Sequence, residues 1–526
     1  MSAQLSGILI YPGQTTAGAP LAAFCTGALA ALARVFPGTP VYVSHAHMAG
    51  EHSDTGIIAL TAEESASLAT ALKSIFDRSE SSNARDTIAI CYGWYVLLDP
   101  ELSQAARADH EQYLAHITYC ENVPPGFLPD YVSREFIEAL PADETATQDL
   151  RAYAFRNIDR FDVEIFYQRP DLRQYRLDFT ATSARSIAVL KAMSELRASA
   201  EHTGVPALRF AELEPFLVEH PEVLRPYPSY IEVELSAEFA QADFAPVFWP
   251  APQNADTGER RSRAGTLDQN LLAKLKTDIS TNALTRDVTV AFAGAGECFC
   301  HPQLVETVSE FLQLDQVKQV IIETYGVGVA AGQLDALFAL PGASRLAFIV
   351  RLNTLRPDRY RELFGVDCGR AALDFIDTLS QILGRTPEAA RPQVYVEMLR
   401  LAETDDELDG FMQRFDRPEE PLQPLLQKYN RYIERLPERR AANLTPLGRE
   451  FCWHLARDLY LTVDGRVPLC RQDPYGEAEA TADFRSQSVR EILAASAPAH
   501  AASVRGEHET IPMPCLQCDE WYTFNG

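Results

Sequence analysis

The chain has few of the features that mark membrane, secreted or nucleic-acid-binding proteins. Basic residues are scarce among its 526 positions: 47 Lys and Arg stand against 73 Asp and Glu, a formal net charge of −26. So acidic a surface repels phosphate backbones and anionic headgroups, and we expect neither nucleic acid nor a membrane as partner. No run of eighteen consecutive apolar residues occurs, so no transmembrane helix is expected. "MSAQLSGILIYPGQ" lacks the basic segment and the long apolar run of a signal peptide, which predicts a cytoplasmic protein.

Ten cysteines are present, and in a reducing compartment they are metal ligands, reactive thiols or small buried hydrophobes rather than disulfides. Four of them follow a pattern. Cys452 and Cys470 flank a stretch that alternates like a strand and turns at Asp-Gly, so a hairpin should bring them together. Cys515 and Cys518 form a Cys-x-x-Cys pair. Four thiolates suit a tetrahedral zinc site or a four-iron cluster, and a redox disulfide within the second pair is a third alternative.

These residues also carry a family resemblance. Cys452, Gly465 and Cys470, with "PLCRQD", "SVREIL" and "PCLQCDEW", resemble the SPASM domain, the auxiliary-cluster module of many radical SAM enzymes. The whole chain is similar to the spiro-SPASM proteins of spirochaetes, most clearly in "LTPLGREFCWHLARDLYLTVDGRVPLCRQD" and "CDEWYTFNG". Full SPASM domains use about seven cysteines for two clusters. The resemblance therefore implies a single [4Fe–4S] cluster on the four cysteines here, with zinc as the alternative that spacing alone does not exclude.

The middle of the chain, residues 225–440, alternates strands and helices such as "DVTVAFAGAGE", "HPQLVETVSEFLQL" and "VKQVIIETYG". This pattern predicts a parallel α/β sheet or partial barrel with ligands at the glycine turns that end the strands. Similarity of "GAGECFCHP" to the radical SAM fold implies that Gly294, Gly296 and Glu297 contact the amino group of S-adenosylmethionine. Glycines admit a ligand close to the backbone, and a carboxylate pairs with an ammonium. The plainer alternative is that the glycines only shape a turn.

One motif that a radical SAM enzyme needs is missing. The C-x3-C-x2-C spacing that holds the catalytic cluster occurs nowhere in the chain. At the place where the family carries it, after "SYIEVEL", this chain reads "SAEFAQADFAPVFWP", which contains no cysteine. Cys298, Cys300 and His301 offer soft donors nearby and are a weak candidate for a metal or reactive-thiol site. We therefore expect no adenosyl-radical chemistry, and binding of S-adenosylmethionine stays open.

The N-terminal third places the strands "SGILIYPG", "TPVYVSHA" and "ARDTIAICYGWYVLLD" around the helix "APLAAFCTGALAALARVF", an order typical of doubly wound nucleotide-binding sheets. "FDVEIFYQRPDLRQYRLDFTATSARSIAVLKAM" resembles the cytidylyltransferase-like, GT-A-type transferases. Such enzymes hold a triphosphate on a basic loop and Mg²⁺ on an Asp, yet "YPGQTTAGAP" has no Lys or Arg. Asp99, or His45 with His47, are alternative metal ligands; a helix-start Asp and a surface loop are the plainer interpretations.

We predict an α/β protein of three modules: a nucleotide-diphospho-sugar-transferase-like domain over 1–205, a radical-SAM-like partial (β/α) barrel over 206–440 and a SPASM domain over 441–526. The Ala-rich connection 494–510 is expected to be slack. The favoured function is an iron–sulfur protein that transfers electrons or binds a protein, peptide or nucleotide-sugar partner. The alternatives are a transferase acting through the N-terminal domain and a zinc-stabilised interaction protein, so whether the chain is an enzyme stays open.

Overall fold

The computed structural model describes residues 3–11, 22–44, 57–141, 149–198, 208–241, 243–251, 263–417, 420–478, 481–513 and 515–523. Contacts divide the chain into two compact units, Met1–Pro226 and Tyr227–Gly526. Within the described ranges, no helix is long and apolar enough to cross a membrane. The candidate ligands His45 and His47 lie outside the described residues.

The first unit is built on a mixed sheet of seven strands among its described residues, in the order β3-β2-β1-β4-β6-β5-β7. The strands are β1 (Leu5–Ile10), β2 (Val41–Val43), β3 (Ile57–Ala59), β4 (Thr87–Cys91), β5 (Ile117–Cys120), β6 (Asp130–Ser133) and β7 (Val163–Phe166). The helices are α1 (Ala22–Val35), α2 (Leu68–Arg78), α3 (Pro100–Gln112), α4 (Arg134–Glu138), α5 (Leu150–Arg156), α6 (Ala184–Ala198) and α7 (Phe210–Glu219). β1 to β4 form the parallel part that the βαβ pattern predicts, whereas β6 runs antiparallel to β4 and β5.

Local chemistry explains where the helices of this unit begin. Helix α2 follows Ser67, whose hydroxyl accepts a hydrogen bond from the amide of Thr70, and its apolar residues recur at helical spacing toward the core. Helix α3 begins after Asp99, whose Oδ1 accepts hydrogen bonds from the amides of Glu101 (2.9 Å) and Leu102 (3.2 Å). Asp99 therefore serves as a helix cap rather than standing free as a metal ligand.

The second unit is built on a parallel sheet, again of seven strands among the described residues, in the order β13-β12-β11-β10-β9-β8-β14. The strands are β8 (Tyr230–Val233), β9 (Val288–Phe292), β10 (Val317–Thr324), β11 (Leu346–Arg351), β12 (Gln393–Leu399), β13 (Gln423–Gln427) and β14 (Asp458–Leu461), with a separate pair, β15 (Arg466–Val467) and β16 (Ala482–Asp483). The helices are α8 (Gln269–Ser280), α9 (Leu304–Leu312), α10 (Ala331–Phe338), α11 (Pro357–Phe364), α12 (Gly369–Arg385), α13 (Leu408–Phe415), α14 (Trp453–Arg457), α15 (Val489–Ala495) and α16 (Ala497–Arg505). The predicted α/β class is thus confirmed.

The two faces of this sheet have different roles because side chains alternate along each strand. On β10, Val320 and Ile322 belong to the large core that contains the apolar faces of the helices. Ile321 lies on the other face, in a small cluster with Tyr230, Ala291 and Ala347 of the neighbouring strands. Polar side chains at the carboxyl ends of the strands share this second face, which is the face that bears the candidate site.

The C-terminal residues differ from the expectation in two ways. The Asp-Gly turn is present, with the amide of Thr462 donating to the carbonyl of Arg466 (2.9 Å). However, β14 does not pair with β15: it joins the main sheet in parallel beside β8, and β15 pairs with β16. One strand of the predicted C-terminal module, β14, therefore belongs to the main sheet of the second unit. The segment predicted to be slack instead forms helix α16, which ends at Gly506 in the left-handed conformation (φ +75°), because its alanines favour helix.

Candidate metal centre and adjoining cavity

The structure brings the four predicted ligands to one place in the second unit. Cys452, Cys470, Cys515 and Cys518 all line a single cavity of about 60 Å³. All four are free thiols, so the second pair is not closed as a disulfide. A single water needs only about 10–15 Å³ measured in this way, so the cavity admits a group of several atoms.

Short local elements hold the four thiols in position. Cys452 caps helix α14, and its amide donates to the hydroxyl of Ser503 on α16 at 3.0 Å. Cys515 begins a turn of 3₁₀ helix. The amide of Cys518 donates a hydrogen bond to the carbonyl of Cys515 at 3.0 Å and closes this turn. The apolar wall around them comprises Leu455, Ala499, Ala502, Ile511 and Trp521. This wall buries Cys452 and Cys515, whereas Cys470 and Cys518 are half-buried.

Electrostatics make the site unfavourable for bare thiolates. Burial raises the pKa of Cys452 to about 12 and the pKa of Cys515 to about 11. For Cys470, burial raises the pKa most and the other three thiols raise it further. Four ionised sulfurs here therefore require positive charge among them, which a metal centre supplies.

The surroundings of the thiols fit a sulfur-ligated metal centre. Backbone amides point at two sulfurs, Gln472 N to Cys470 Sγ and Glu520 N to Cys518 Sγ, both at 3.4 Å. Burial raises the pKa of Cys518, and the amide of Glu520 and the guanidinium of Arg449 oppose this rise. Arg449 also donates to the carbonyl of Cys518 at 3.2 Å, and its buried Nε and Nη2 find no hydrogen-bond partner among the described residues. Donors of this kind stabilise thiolates and raise the reduction potential of a cluster.

Zinc and a four-iron cluster require different spacings of the thiolates that bind them. Across the described residues, no three His, Cys, Asp or Glu side chains are arranged to hold a single metal ion. Zinc binds thiolates at about 2.3 Å, which places four tetrahedral sulfurs roughly 3.8 Å apart. The thiolates of a four-iron cluster each bind a different iron, so they stand farther apart.

A second and larger cavity of about 770 Å³ adjoins the cysteine cavity. It opens over the polar face of the sheet and is lined by residues of β10, β11, β12 and β13. Both cavities are lined by Asn430, Arg471, Glu520 and Thr523. A molecule in the large cavity would consequently lie close to the four thiols, because the two cavities share these side chains.

The floor of the large cavity carries buried charges. Arg351 on β11 pairs with Glu323 on β10 and donates to the carbonyl of Gly294 at 2.8 Å. Arg471, which directly follows the ligand Cys470, lies 3.2 Å from Glu232 of β8. Burial raises the pKa of Glu232. Buried ion pairs contribute little net stability, so their presence beside a cavity points to a binding role.

Trp249 stands between the two guanidinium groups. Its ring centre lies 5.6 Å from the guanidinium of Arg351 and 5.4 Å from that of Arg471. Its indole nitrogen donates to the hydroxyl of Tyr325 at 3.1 Å. Residue 249 belongs to "SAEFAQADFAPVFWP", the segment without cysteine that follows β8.

The same segment brings an aromatic cluster rather than thiolates. Phe244 stacks on Phe239 with ring centres 4.8 Å apart, and it meets Tyr325 at 5.0 Å and Phe364 at 5.5 Å. The amide of Ala245 donates to the carbonyl of Phe364 at 2.9 Å. Phe244 and Phe248 of this segment are therefore part of the core.

The residues assigned to S-adenosylmethionine contact the protein itself. Glu297 is 2% exposed, and its carboxylate accepts hydrogen bonds from the amides of Phe299 (3.2 Å) and Tyr325 (2.9 Å). A Cβ on Gly296 would lie 2.2 Å from the carbonyl oxygen of Ser236, and one on Gly294 (φ +127°) would lie 2.8 Å from the side chain of Glu234. Both glycines are thus needed for the close approach of their neighbours, which favours the plainer interpretation.

The nearby soft donors are engaged as well. The thiol of Cys298 donates to the carbonyl of Glu323 at 3.1 Å, and burial raises its pKa well above the ordinary value. His301 Nδ1 accepts from the amide of Gln303, and Nε2 lies 3.3 Å from the side-chain amide of Gln269. These contacts give Cys298 and His301 structural roles.

Sequence reasoning missed the charged groups of the large cavity. Glu323, Arg351 and Glu397 each stand at the carboxyl end of an apolar strand, in "VIIET", "AFIVR" and "VYVEML". An ionisable residue within a strand that is otherwise buried is a usable signal, because such residues in α/β folds line the ligand site. For Arg471 the sequence gives a weaker signal of a role in the cavity: it directly follows Cys470, a predicted metal ligand.

Comparisons with known proteins give weak similarities. No family model matches the chain. A protein of Treponema pallidum (strain Nichols), described as uncharacterized, is 27% identical over 379 residues, covering 70% of this chain and 96% of that protein.

Among solved structures of radical SAM enzymes, BtrN in complex with AdoMet and 2-DOIA is 12% identical, covers 56% of this chain and 93% of its own, and has a TM-score of 0.33. Streptococcus suis SuiB bound to the precursor peptide SuiA is 12% identical and covers 64% of this chain and 83% of its own, with a TM-score of 0.40. The enzyme anSMEcpe with bound AdoMet is 9% identical. The match covers 56% of this chain and 84% of anSMEcpe, with a TM-score of 0.36. These similarities concern fold alone, so function is inferred from this chain's own residues.

Proposed function

We propose that the chain is an iron–sulfur protein that holds one [4Fe–4S] cluster on Cys452, Cys470, Cys515 and Cys518. The observation that carries this proposal is that all four thiols line one small cavity. The amides that point at two of the sulfurs support a metal centre, and the family resemblance favours a cluster over zinc. A bound cluster supplies one-electron transfer.

The neighbouring residues suggest what the cluster serves. The large cavity shares four lining residues with the cysteine cavity, so its occupant would lie within short electron-transfer reach of the cluster. Arg471 contacts Glu232 inside the sheet and is bonded to the ligand Cys470. We infer electron exchange with, or recognition of, a molecule held in that cavity, with a protein or peptide as the partner class.

Adenosyl-radical chemistry is not part of the proposal. Two observations support leaving it out: the aromatic packing of Phe239 and Phe244 where the family carries its thiolates, and the engagement of Glu297 by backbone amides. We expect isothermal titration with S-adenosylmethionine to give no binding heat. A measurable affinity would contradict this part.

The transferase alternative has less support. Asp130 lies at the carboxyl edge of β4, where a metal-binding carboxylate is needed in the first unit. Arg151 pairs with both of its oxygens, at 2.6 Å each. Since a guanidinium already neutralises this carboxylate, Asp130 does not favour a Mg²⁺ site, and we do not propose nucleotidyl transfer.

Metal analysis of the purified chain tests the proposal. Protein purified anaerobically should contain iron and acid-labile sulfide in equal amounts and, once reduced, give the EPR signal of a four-iron cluster. Each of the variants Cys452→Ser, Cys470→Ser, Cys515→Ser and Cys518→Ser should lose iron. The matched control is Cys368→Ser, which removes a buried thiol of the same unit outside the cavity. Zinc without sulfide, or full iron in all four variants, would falsify the proposal.

A further inference from the structure

The large cavity has an imbalance of charge. Three cations line it, and each is paired: Arg351 with Glu323, Arg471 with Glu232 at 3.2 Å, and Lys428 with Glu520 at 2.7 Å. Asp519, 3.5 Å from Lys428, has Arg440 at 2.6 Å as its own partner. The lining also includes Glu397 of β12, for which no partner remains.

Glu397 is buried and faces the cavity without a counter-ion. It is 6% exposed, and no cation lies within ion-pair distance of its carboxylate among the described residues. Burial raises its pKa, whereas the fields of Arg351 and Arg471 and the adjacent amide of Asn353 lower it. An isolated buried carboxylate is costly unless a ligand compensates it.

Asn353 supplies a second unsatisfied group beside Glu397. Asn353 is fully buried. Its Oδ1 accepts a hydrogen bond from the amide of Leu399 at 2.8 Å, and this bond fixes the orientation of the side chain. Its Nδ2 finds no hydrogen-bond acceptor of ordinary geometry within the described part of the chain. The backbone of Asn353 is left-handed (φ +62°), a conformation that Asn tolerates and that few other residues adopt. Asn353 Nδ2 thus lies beside the carboxylate of Glu397, whose pKa it lowers, and both residues line the large cavity.

We propose that the large cavity binds a small organic cation, a protonated amine with an oxygen acceptor close to its nitrogen, and that Glu397 and Asn353 recognise it. The ammonium group would pair with Glu397, and the ligand oxygen would accept a hydrogen bond from Asn353 Nδ2. The inference rests on the proposed role of this cavity in binding, but it does not require the cluster.

The rest of the lining fits such a ligand. Tyr325, Tyr395, Tyr432 and Trp249 give the cavity aromatic walls, which attract a cation and cover an apolar or aromatic body. The volume of about 770 Å³ lies within the range of small-molecule sites. Arg351 and Arg471 are already paired with carboxylates, so an anionic ligand gains little from them.

A matched set of probes tests the proposal on the full-length, cluster-loaded chain. Calorimetry compares tyrosinamide, which carries the ammonium and the acceptor, with N-acetyltyrosinamide, which has lost the charge, and with 3-(4-hydroxyphenyl)propanoate, an anion. We expect tyrosinamide to bind at least about tenfold more tightly than either of the other two. Adding the tripeptide Tyr-Gly-Gly distinguishes a free amine from a peptide amino terminus as the natural source.

Variants locate the binding site. Glu397→Gln keeps the shape and should weaken tyrosinamide at least about tenfold while leaving the N-acetyl probe unchanged. Glu397→Asp keeps the charge and should retain part of the preference for tyrosinamide over N-acetyltyrosinamide. This variant keeps the test decisive if Glu397→Gln folds poorly. The control Glu388→Gln removes an exposed carboxylate of the same unit and should have no effect.

Equal affinity for the charged and acetylated probes, preference for the anion, unchanged binding in Glu397→Gln, or no binding by either amine at millimolar concentration would each overturn the inference. Iron and sulfide are measured on the same samples. A sample with full iron and sulfide that binds no amine contradicts only the proposed amine site. A sample that binds the amine but was purified anaerobically without iron contradicts only the proposed cluster.

Discussion

Single side chains decide what the second unit can bind. The four cysteine thiols have pKa values raised by burial, and beside them Glu232 and Glu397 are carboxyl groups whose pKa burial also raises. A chain selected only for stability would replace such groups by apolar residues of similar size. Their presence in two adjoining cavities is the residue-scale basis of both proposals.

Gly296 gives a sharp residue-scale prediction. The Cβ of Gly296→Ala would meet the carbonyl oxygen of Ser236 at 2.2 Å, so backbone must move, and we expect a loss of about 1–3 kcal/mol in the free energy of unfolding. Gly384→Ala is the matched control. It lies in helix α12 with nothing within 4 Å of the new methyl group, and it should stabilise by about 0.5–1 kcal/mol. Urea denaturation of both variants checks the contrast, which an equal effect would contradict.

His110 predicts how stability depends on pH in the first unit. Burial lowers its pKa from 6.5 to about 4, and its Nδ1 lies 2.8 Å from the hydroxyl of Thr118. The unfolded chain therefore binds a proton more readily than the folded one. The stability contributed by neutral His110 is complete above pH 6.5 and is lost as pH falls toward 4, by about 3 kcal/mol in total.

The variant His110→Gln isolates this effect, because it removes the titrating group and keeps a polar side chain. Pulse proteolysis in urea, with detection of fragments from residues 1–226, should show a smaller loss of stability between pH 7 and pH 5 than in the natural chain. The same loss in both proteins would contradict the assignment.

At the scale of elements, the segment after β8 determines whether this end of the sheet can offer thiolate ligands. Phe239 and Phe244 of this segment stack on each other, and the amides of Ala245 and Val247 donate to carbonyls of α11. Phe244→Ala should therefore cost about 3–5 kcal/mol, as expected for a buried aromatic residue. Leu447→Ala, at a fully exposed position, should change stability by less than about 0.5 kcal/mol.

Denaturation of Phe244→Ala and Leu447→Ala measures both effects. Iron content should be retained in both, since neither residue lines the cysteine cavity. A stable Phe244→Ala variant would mean that the segment is not part of the core.

Much of the second unit could be predicted because its signals are local. The strands β9 to β12 coincide with apolar, β-branched runs, and α9, α11 and α13 with amphipathic stretches between them. The site was foreseeable in part, since the cysteine pattern selects the four thiols that line one cavity. The partner of β14 could not be foreseen: Asp458 pairs with Tyr230, and no local signal encodes so distant a contact. The role proposed for Glu397 and Asn353 could not be predicted either, because it depends on the cavity that other parts of the chain form around them.

At the scale of the whole molecule, the proposed metal site belongs to one unit and consists largely of its last residues. Thiols from three separate stretches line one cavity there, and the first of them is followed by α14 and then by β14, at the edge of the parallel sheet. Cluster binding and local folding should then be one equilibrium in the C-terminal residues. The N-terminal unit has its own sheet and core.

Removal of iron should therefore act unevenly on the full-length chain. After anaerobic chelation we expect faster hydrogen exchange in β14 and α16, since both elements are held near the thiols, and new proteolytic cleavage after residue 441. Strands β9 to β12 lie in the interior of the sheet and should keep their protection, as should the N-terminal unit. Cys452→Ser should reproduce the pattern without chelator, and Cys368→Ser should not. Uniform loss of protection across both units, or none in β14, would show that the cluster does not order the C-terminal residues.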